Sequence, residues 1–130
     1  MKKNYFIFII DDDPIFVLLF KKIILKSERF NKVQNFPDGQ FAIEELLKMN
    51  SEGVVMPDII FLDLNMPNID GWQFLDAIEA YTFKEKLNIY IVSSSIDNYE
   101  IEKAKQYKCV KNFISKPISI DFFQEYELLN

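Results

Sequence analysis

Histidine is absent from all 130 residues, and cysteine occurs once, as Cys109. A chain without histidine cannot itself carry a phosphohistidine, and one cysteine can neither close an internal disulfide nor assemble a Cys/His zinc site. Arginine is nearly missing as well, Arg29 being the only residue suited to bidentate phosphate reading. Positive charge is outweighed, with 15 Lys and Arg against 20 Asp and Glu and a net charge of -5. Nucleic-acid backbones demand a positive footprint, so this balance argues against direct nucleic-acid binding, and Lys103, Lys105, Lys108 and Lys111 read as a solvated face. No stretch approaches the length needed to span a bilayer. Met1 to Ile10 places two lysines ahead of an apolar run, but that run is short and stops at three aspartates, as a buried first strand does and a secretory signal does not. The expected compartment is a reducing cytoplasm.

What is present is apolar and aromatic: 49% of the residues are hydrophobic and 13 are Phe, with an ordinary charged fraction of 27%. A chain of this size and composition buries a core without disulfides, and one domain is expected. Tyr5 to Ile10 is an unbroken apolar run with β-branched members, the mark of a strand covered on both faces. After the acidic turn, Pro14 suits a first helical turn, and Phe16, Leu19, Phe20, Ile23 and Ile24 recur at helical spacing up to Lys26 and Ser27. The pattern then repeats in type: a strand from Lys32 to Phe36, the turn Pro37-Asp38-Gly39, a helix from Phe41 to Met49, and a loop from Ser51 to Pro57.

Ile59 to Leu62 makes a third strand ending in Asp63, Asn65 to Asp70 a turn-rich loop, and Gly71 leads a helix burying Phe74, Leu75 and Ile78. Asn88 to Val92 reads as a fourth strand ending at Ser93, a helix runs from about Asp97 to Tyr107, Asn112 to Ser115 is a short fifth strand, and Ser119 caps a closing helix. Strands alternating with helices imply an α/β fold: a doubly wound five-stranded parallel sheet with helices on both faces. In such sheets chemistry gathers at the carboxyl ends of the strands.

Those ends collect Asp11 and Asp12, Asp63, Ser93, and Ser115 with Lys116. Carboxylates brought together repel one another unless a cation joins them, and an all-oxygen set suits Mg2+ or Ca2+. Singly, each residue has an ordinary reading. Asp12 or Asp13 caps the helix opened by Pro14, Asp63 is a turn residue, Ser93 bonds backbone, and Lys116 is a surface charge. Together, an acidic pair, an acid, a hydroxyl and a lysine at four strand ends in this chain order make a site.

The chain resembles the receiver domains of two-component response regulators over nearly its whole length. Ile9-Ile10-Asp11-Asp12-Asp13-Pro14 is similar to that family's acidic pair at the first strand end, and Asp38-Gly39 to its turn before the second helix. Ile59 to Gly71 resembles the segment around the phosphorylated aspartate, Val92-Ser93-Ser94 the hydroxyl position, and Phe113-Ile114-Ser115-Lys116-Pro117 the segment that closes the site. The resemblance implies a flavodoxin-like (βα)5 sheet of strand order 2-1-3-4-5. It further implies that Asp63 is the phosphoacceptor and that Asp12, Asp63 and the Asn65 backbone carbonyl bind Mg2+ directly, with Asp11 assisting through water. Lys116 would contact the phosphoryl oxygens, Pro117 would direct that lysine, and Ser93 and Phe113 would form the switch. Asn65 and Ser95 would tune hydrolysis of the phosphoryl group.

By the same resemblance the donor is a sensor histidine kinase, a histidine phosphotransfer protein or a small phosphodonor. The chain would then catalyse only transfer to, and slow hydrolysis from, its own aspartate. No sequence remains after the closing helix for an output domain, so residues 1–130 are expected to be a single receiver domain. It would signal to a separate effector through the face of the fourth helix, fifth strand and closing helix, and a homodimer is compatible with this.

Two features depart from the family pattern. Lys108-Cys109-Val110 stands where a glycine commonly provides a left-handed cap, and Ile15 to Phe20 is uninterruptedly apolar, through deeper packing or a partner surface. Three rival readings accompany the resemblance. A flavodoxin-type nucleotide binder is disfavoured because three aspartates would repel the phosphate. A haloacid-dehalogenase-like phosphatase would use Asp11 and Asp13 as its acid-x-acid pair, in a chain short for that core. A receiver-like module that takes no phosphate would have no use for the complete site.

Overall fold

The computed structural model describes residues 4–26, 30, 32–94, 97–116 and 118. Five parallel strands, β1 (Phe6–Ile10), β2 (Lys32–Phe36), β3 (Ile59–Asp63), β4 (Ile89–Ser93) and β5 (Val110–Ser115), form one sheet in the order β2-β1-β3-β4-β5. Between them lie α1 (Pro14–Ile24), α2 (Gly39–Glu52), α3 (Gly71–Glu79), a 3-10 helix (Thr82–Lys86) and α4 (Asn98–Ala104). The closing helix and its cap Ser119 lie outside the described residues.

Period-two alternation explains why β1 and β3 are apolar throughout. Phe8, Ile10, Ile60 and Leu62 join a core on the side of α2, α3 and α4, whereas Ile7, Ile9, Ile59 and Phe61 join a second core beneath α1. Every residue of β3 is buried, and the strand is paired on both sides with β1 and β4, so its last residue, Asp63, is carried to the carboxyl edge of the sheet by a central, fully packed strand.

Helix starts follow the expected capping chemistry. Asp13 accepts from the backbone N–H groups of Ile15 and Phe16, Asp38 from Gln40 and Phe41, and Asp97 from Glu100, while Asp70 and Gln73 form a reciprocal capping box. Helix α2 exceeds its expected span at both ends, because Asp38 caps it earlier and Gly53, at φ 69°, ends it in a left-handed turn. Helix α4 stops short of Tyr107, and the chain descends into β5 through successive turns: Gln106 N–H to Lys103 O, Tyr107 N–H to Ala104 O and Val110 N–H to Tyr107 O. No left-handed residue is used there, Asn68 being the only non-glycine with positive φ among the described residues. The missing glycine is therefore accommodated without strain.

Helix α1 corrects one expectation. Val17, Phe20 and Ile24 are its buried residues, while Leu19, expected inside, is 55% exposed, with Ile15 and Leu18 also outward. Its extra apolar content is a surface, and not deeper packing. None of the described helices is long and apolar enough to cross a membrane.

Candidate functional site

Asp11 follows the last residue of β1 and is 2% exposed. Its Oδ1 accepts from the Asp13 N–H at 2.9 Å, and the amide of Asn35 on β2 donates to the carbonyls of Ile9 and Asp11, so the acidic turn is tied to both neighbouring segments. Asp12 is exposed. Asp13, the second member of the acid-x-acid pair, is engaged as the cap of α1.

Asp63 ends β3 and is 7% exposed; its Oδ1 accepts a long bond of 3.4 Å from the Asn65 N–H. Its neighbour across the loop is Gly71, where a Cβ would stand 2.6 Å from the Asp63 carbonyl oxygen and 2.8 Å from Leu64 Cα. Only glycine lets α3 start this close to the Asp63 backbone, and the Gly71 N–H donates to the Leu64 carbonyl at 3.0 Å.

The fourth and fifth strands bring the remaining groups. A register shift after Ile89↔Val110 inserts one residue into β5, after which Ser115 stands opposite Ser93, and Lys116 N–H donates to the Ser93 carbonyl at 3.0 Å. Ser93 is buried at the end of β4, beside the end of β3. Lys116 directs its Nζ back across the sheet edge to 2.9 Å from Asp11 Oδ2 and 4.0 Å from Asp63 Oδ1. Phe113 is half-buried on β5, beside Ile101 and Ala104 of α4 along a surface groove. Ser95 and Pro117 lie outside the described residues.

Asp11, Asp12 and Asp63 each offer a carboxylate oxygen, and these three atoms lie within 4.8 Å of one another. Burial, then the Asp11 charge, pushes the Asp63 carboxyl up to about 6, against the opposing pull of Lys116. Burial also raises Asp11, more than its bond from Asp13 and the proximity of Lys116 lower it. Asp11 Oδ2 is buried without an aligned hydrogen bond, its partner being the ion pair to Lys116. Three carboxylates facing one described ammonium, with a buried oxygen short of donors, fit a hard divalent cation.

Sequence reasoning passed over two contributors. One is Asn35, whose only signal was its place in a strand next to β1. The other is Phe16, whose ring centroid lies 4.3 Å from Lys116 Nζ and which read only as a core-facing helix residue.

The response regulator receiver domain family model matches residues 7–126. Among curated proteins, the probable C4-dicarboxylate response regulator DctR of Priestia megaterium is 27% identical over 120 residues, 92% of this chain and 49% of that protein. The chain thus spans about half the length of that relative, and it spans only 20% of a protein-glutamate methylesterase/protein-glutamine glutaminase of Trichodesmium erythraeum. Among solved structures, a two component response regulator from Cytophaga hutchinsonii superposes with a TM-score of 0.87 at 29% identity, covering 97% of this chain and 96% of that one. The chemotaxis protein CheY4 of Vibrio cholerae, 16% identical, shares the fold with a TM-score of 0.78 over 97% of this chain and 98% of that one.

Proposed function

The chain belongs to the response regulator receiver domain family, and from that premise we propose that it is a phosphorylation-activated signalling switch that accepts a phosphoryl group on Asp63. The observation that carries this reading is the convergence of the Asp11, Asp12 and Asp63 carboxylates within 4.8 Å, with Lys116 Nζ 4.0 Å from Asp63. Phosphoryl transfer asks a protein mainly to position groups and neutralise oxygens. With its carboxyl at about 6, Asp63 is largely ionised at neutral pH and is itself the nucleophile, so no base is required.

One carboxylate oxygen of Asp63 attacks the phosphorus of a phosphohistidine on a kinase or phosphotransfer protein. The P–N bond breaks and the imidazole leaves with its electron pair. Lys116 would balance charge on the phosphoryl oxygens with its compact ammonium, held 4.0 Å from Asp63 Oδ1. Asp11, Asp12, Asp63 and the Asn65 carbonyl would hold Mg2+, which when bound neutralises carboxylate and phosphoryl oxygens together.

The phosphoryl group adds about -1.5 to -2 charge. Ser93, one position beyond the residue paired with Asp63, would donate to it, and Phe113, which lines a groove with Ile101 and Ala104 of α4, would follow. Near-complete switching needs roughly 5.5 kcal/mol of preference, and charge-assisted hydrogen bonds contribute about 1.5–3 kcal/mol each, so Ser93 and Lys116 would supply most of it. The partner reading the switch is a separate effector docking on α4 and β5.

Incubation with Mg2+ and acetyl phosphate, followed by intact mass measurement, tests the reading. The expected result is one added phosphoryl group in the wild type and none in Asp63→Asn. No uptake by the wild type, or the same uptake by Asp63→Asn, sinks it.

A further inference from the structure

Lys116 Nζ has a third neighbour besides the two carboxylates: the face of the Phe16 ring, 4.3 Å away at its centroid. Phe16 is half-buried and close to the start of α1, and its position is tied to the acidic turn. Its N–H donates to Asp13 Oδ1 at 3.2 Å, and the Asp13 N–H donates to Asp11 Oδ1 at 2.9 Å. From the other side the ring rests against Phe20 at 5.3 Å between centroids, and Phe20 meets Phe61 edge-on at 4.8 Å. Phe61 lies two residues before Asp63 on β3. Ring and nucleophile therefore stand on one buttressed frame.

Resting on the reading of Asp63 as the phosphoacceptor, we propose that Phe16 is a positioning residue for that reaction, its ring face holding the Lys116 ammonium beside the acidic cluster. A lysine stem is flexible and strongly hydrated at its tip, so without a restraint the ammonium turns toward solvent. A carboxylate in place of the ring would retain it by a directional bond that competes with phosphoryl oxygens. The ring quadrupole attracts the cation without such a bond. The ammonium can then turn from Asp11, at 2.9 Å, toward a group on Asp63, at 4.0 Å, without leaving the ring.

Three variants test this: Phe16→Leu, which keeps apolar bulk, Phe16→Tyr, which keeps the π face, and Lys116→Ala. With acetyl phosphate and Mg2+, Phe16→Leu is expected to slow phosphorylation by about 3- to 10-fold and Phe16→Tyr to restore it. In the Lys116→Ala background, Phe16→Leu is expected to cause no further loss. Without phosphodonor or metal, the Lys116 Cε protons should carry a ring-current NMR shift that disappears in Phe16→Leu and returns in Phe16→Tyr. Equal slowing in both backgrounds, or Cε resonances indifferent to Phe16→Leu, overturns the role of Phe16. A wild type that takes up no phosphoryl group overturns the phosphoacceptor reading instead, whereas equal rates for wild type and Phe16→Leu overturn the positioning role alone.

Discussion

Asp63 is the residue at which burial and chemistry oppose each other. Its carboxyl is raised from 3.8 to about 6 in the folded chain, so the favourable contribution of its protonated form is complete below about pH 3.8 and is lost as pH rises through about 6. In metal-free protein, Asp63→Asn is accordingly expected to stabilise the fold by about 1–3 kcal/mol near neutrality and by little near pH 4. Urea denaturation of both proteins across that range measures the difference, and a gap that shrinks as pH rises contradicts the assignment. Gly71 behaves oppositely. A methyl group 2.6 Å from the Asp63 carbonyl oxygen forces α3 away, and Gly71→Ala is expected to cost about 1–3 kcal/mol and to slow phosphorylation, read from melting and from mass uptake.

Among the elements, α1 divides its apolar residues between two fates. Phe20 is 1% exposed between Phe16 and Phe61, and Phe20→Ala is expected to cost about 3–5 kcal/mol. Leu19 is 55% exposed, and Leu19→Gln should change stability by less than about 0.5 kcal/mol in the same denaturation measurement. On the other face of the sheet, α3 is linked by polar groups both to α4 and to the turns that follow it. The Tyr107 hydroxyl donates to Asp76 at 2.5 Å, and Lys103 Nζ lies 4.4 Å from the Trp72 ring centroid. Burial, then this bond, pushes the Tyr107 hydroxyl up to about 12, so it remains a donor at all ordinary pH. These ties stand where a glycine-terminated α4 would have been expected, and they anchor the turns that lead into β5.

For the whole molecule, a metal ion bound at the acidic cluster would couple binding to stability. A cation that joins Asp11, Asp12 and Asp63 binds only the folded chain, where the three oxygens lie within 4.8 Å, so added Mg2+ should raise the melting temperature to a plateau. The gain should weaken as pH falls through about 6, because protons compete for Asp63, and should largely vanish in Asp12→Asn. Calorimetry with and without chelator measures both; a pH-independent gain retained in Asp12→Asn places the metal elsewhere.

The sequence by itself determined the alternation of strands and helices, the capping aspartates, and the presence of Asp11, Asp12, Asp63, Ser93 and Lys116 at strand ends. These are local properties: apolar runs, turn chemistry and the residue at which each run stops. Helix ends were less legible, since the limits of α2 and α4 depend on Gly53 and on the turns beneath Tyr107. Which side of α1 would be bare, and which ring would meet Lys116, only the tertiary structure decided. Phe16 and Lys116 are far apart in the chain, and their meeting depends on α1 leaning over β3 and on a one-residue shift in β5 that sets Ser115 opposite Ser93. Side-chain period shows which residues of a strand share a face, but the partner across the sheet edge is set by packing and register together.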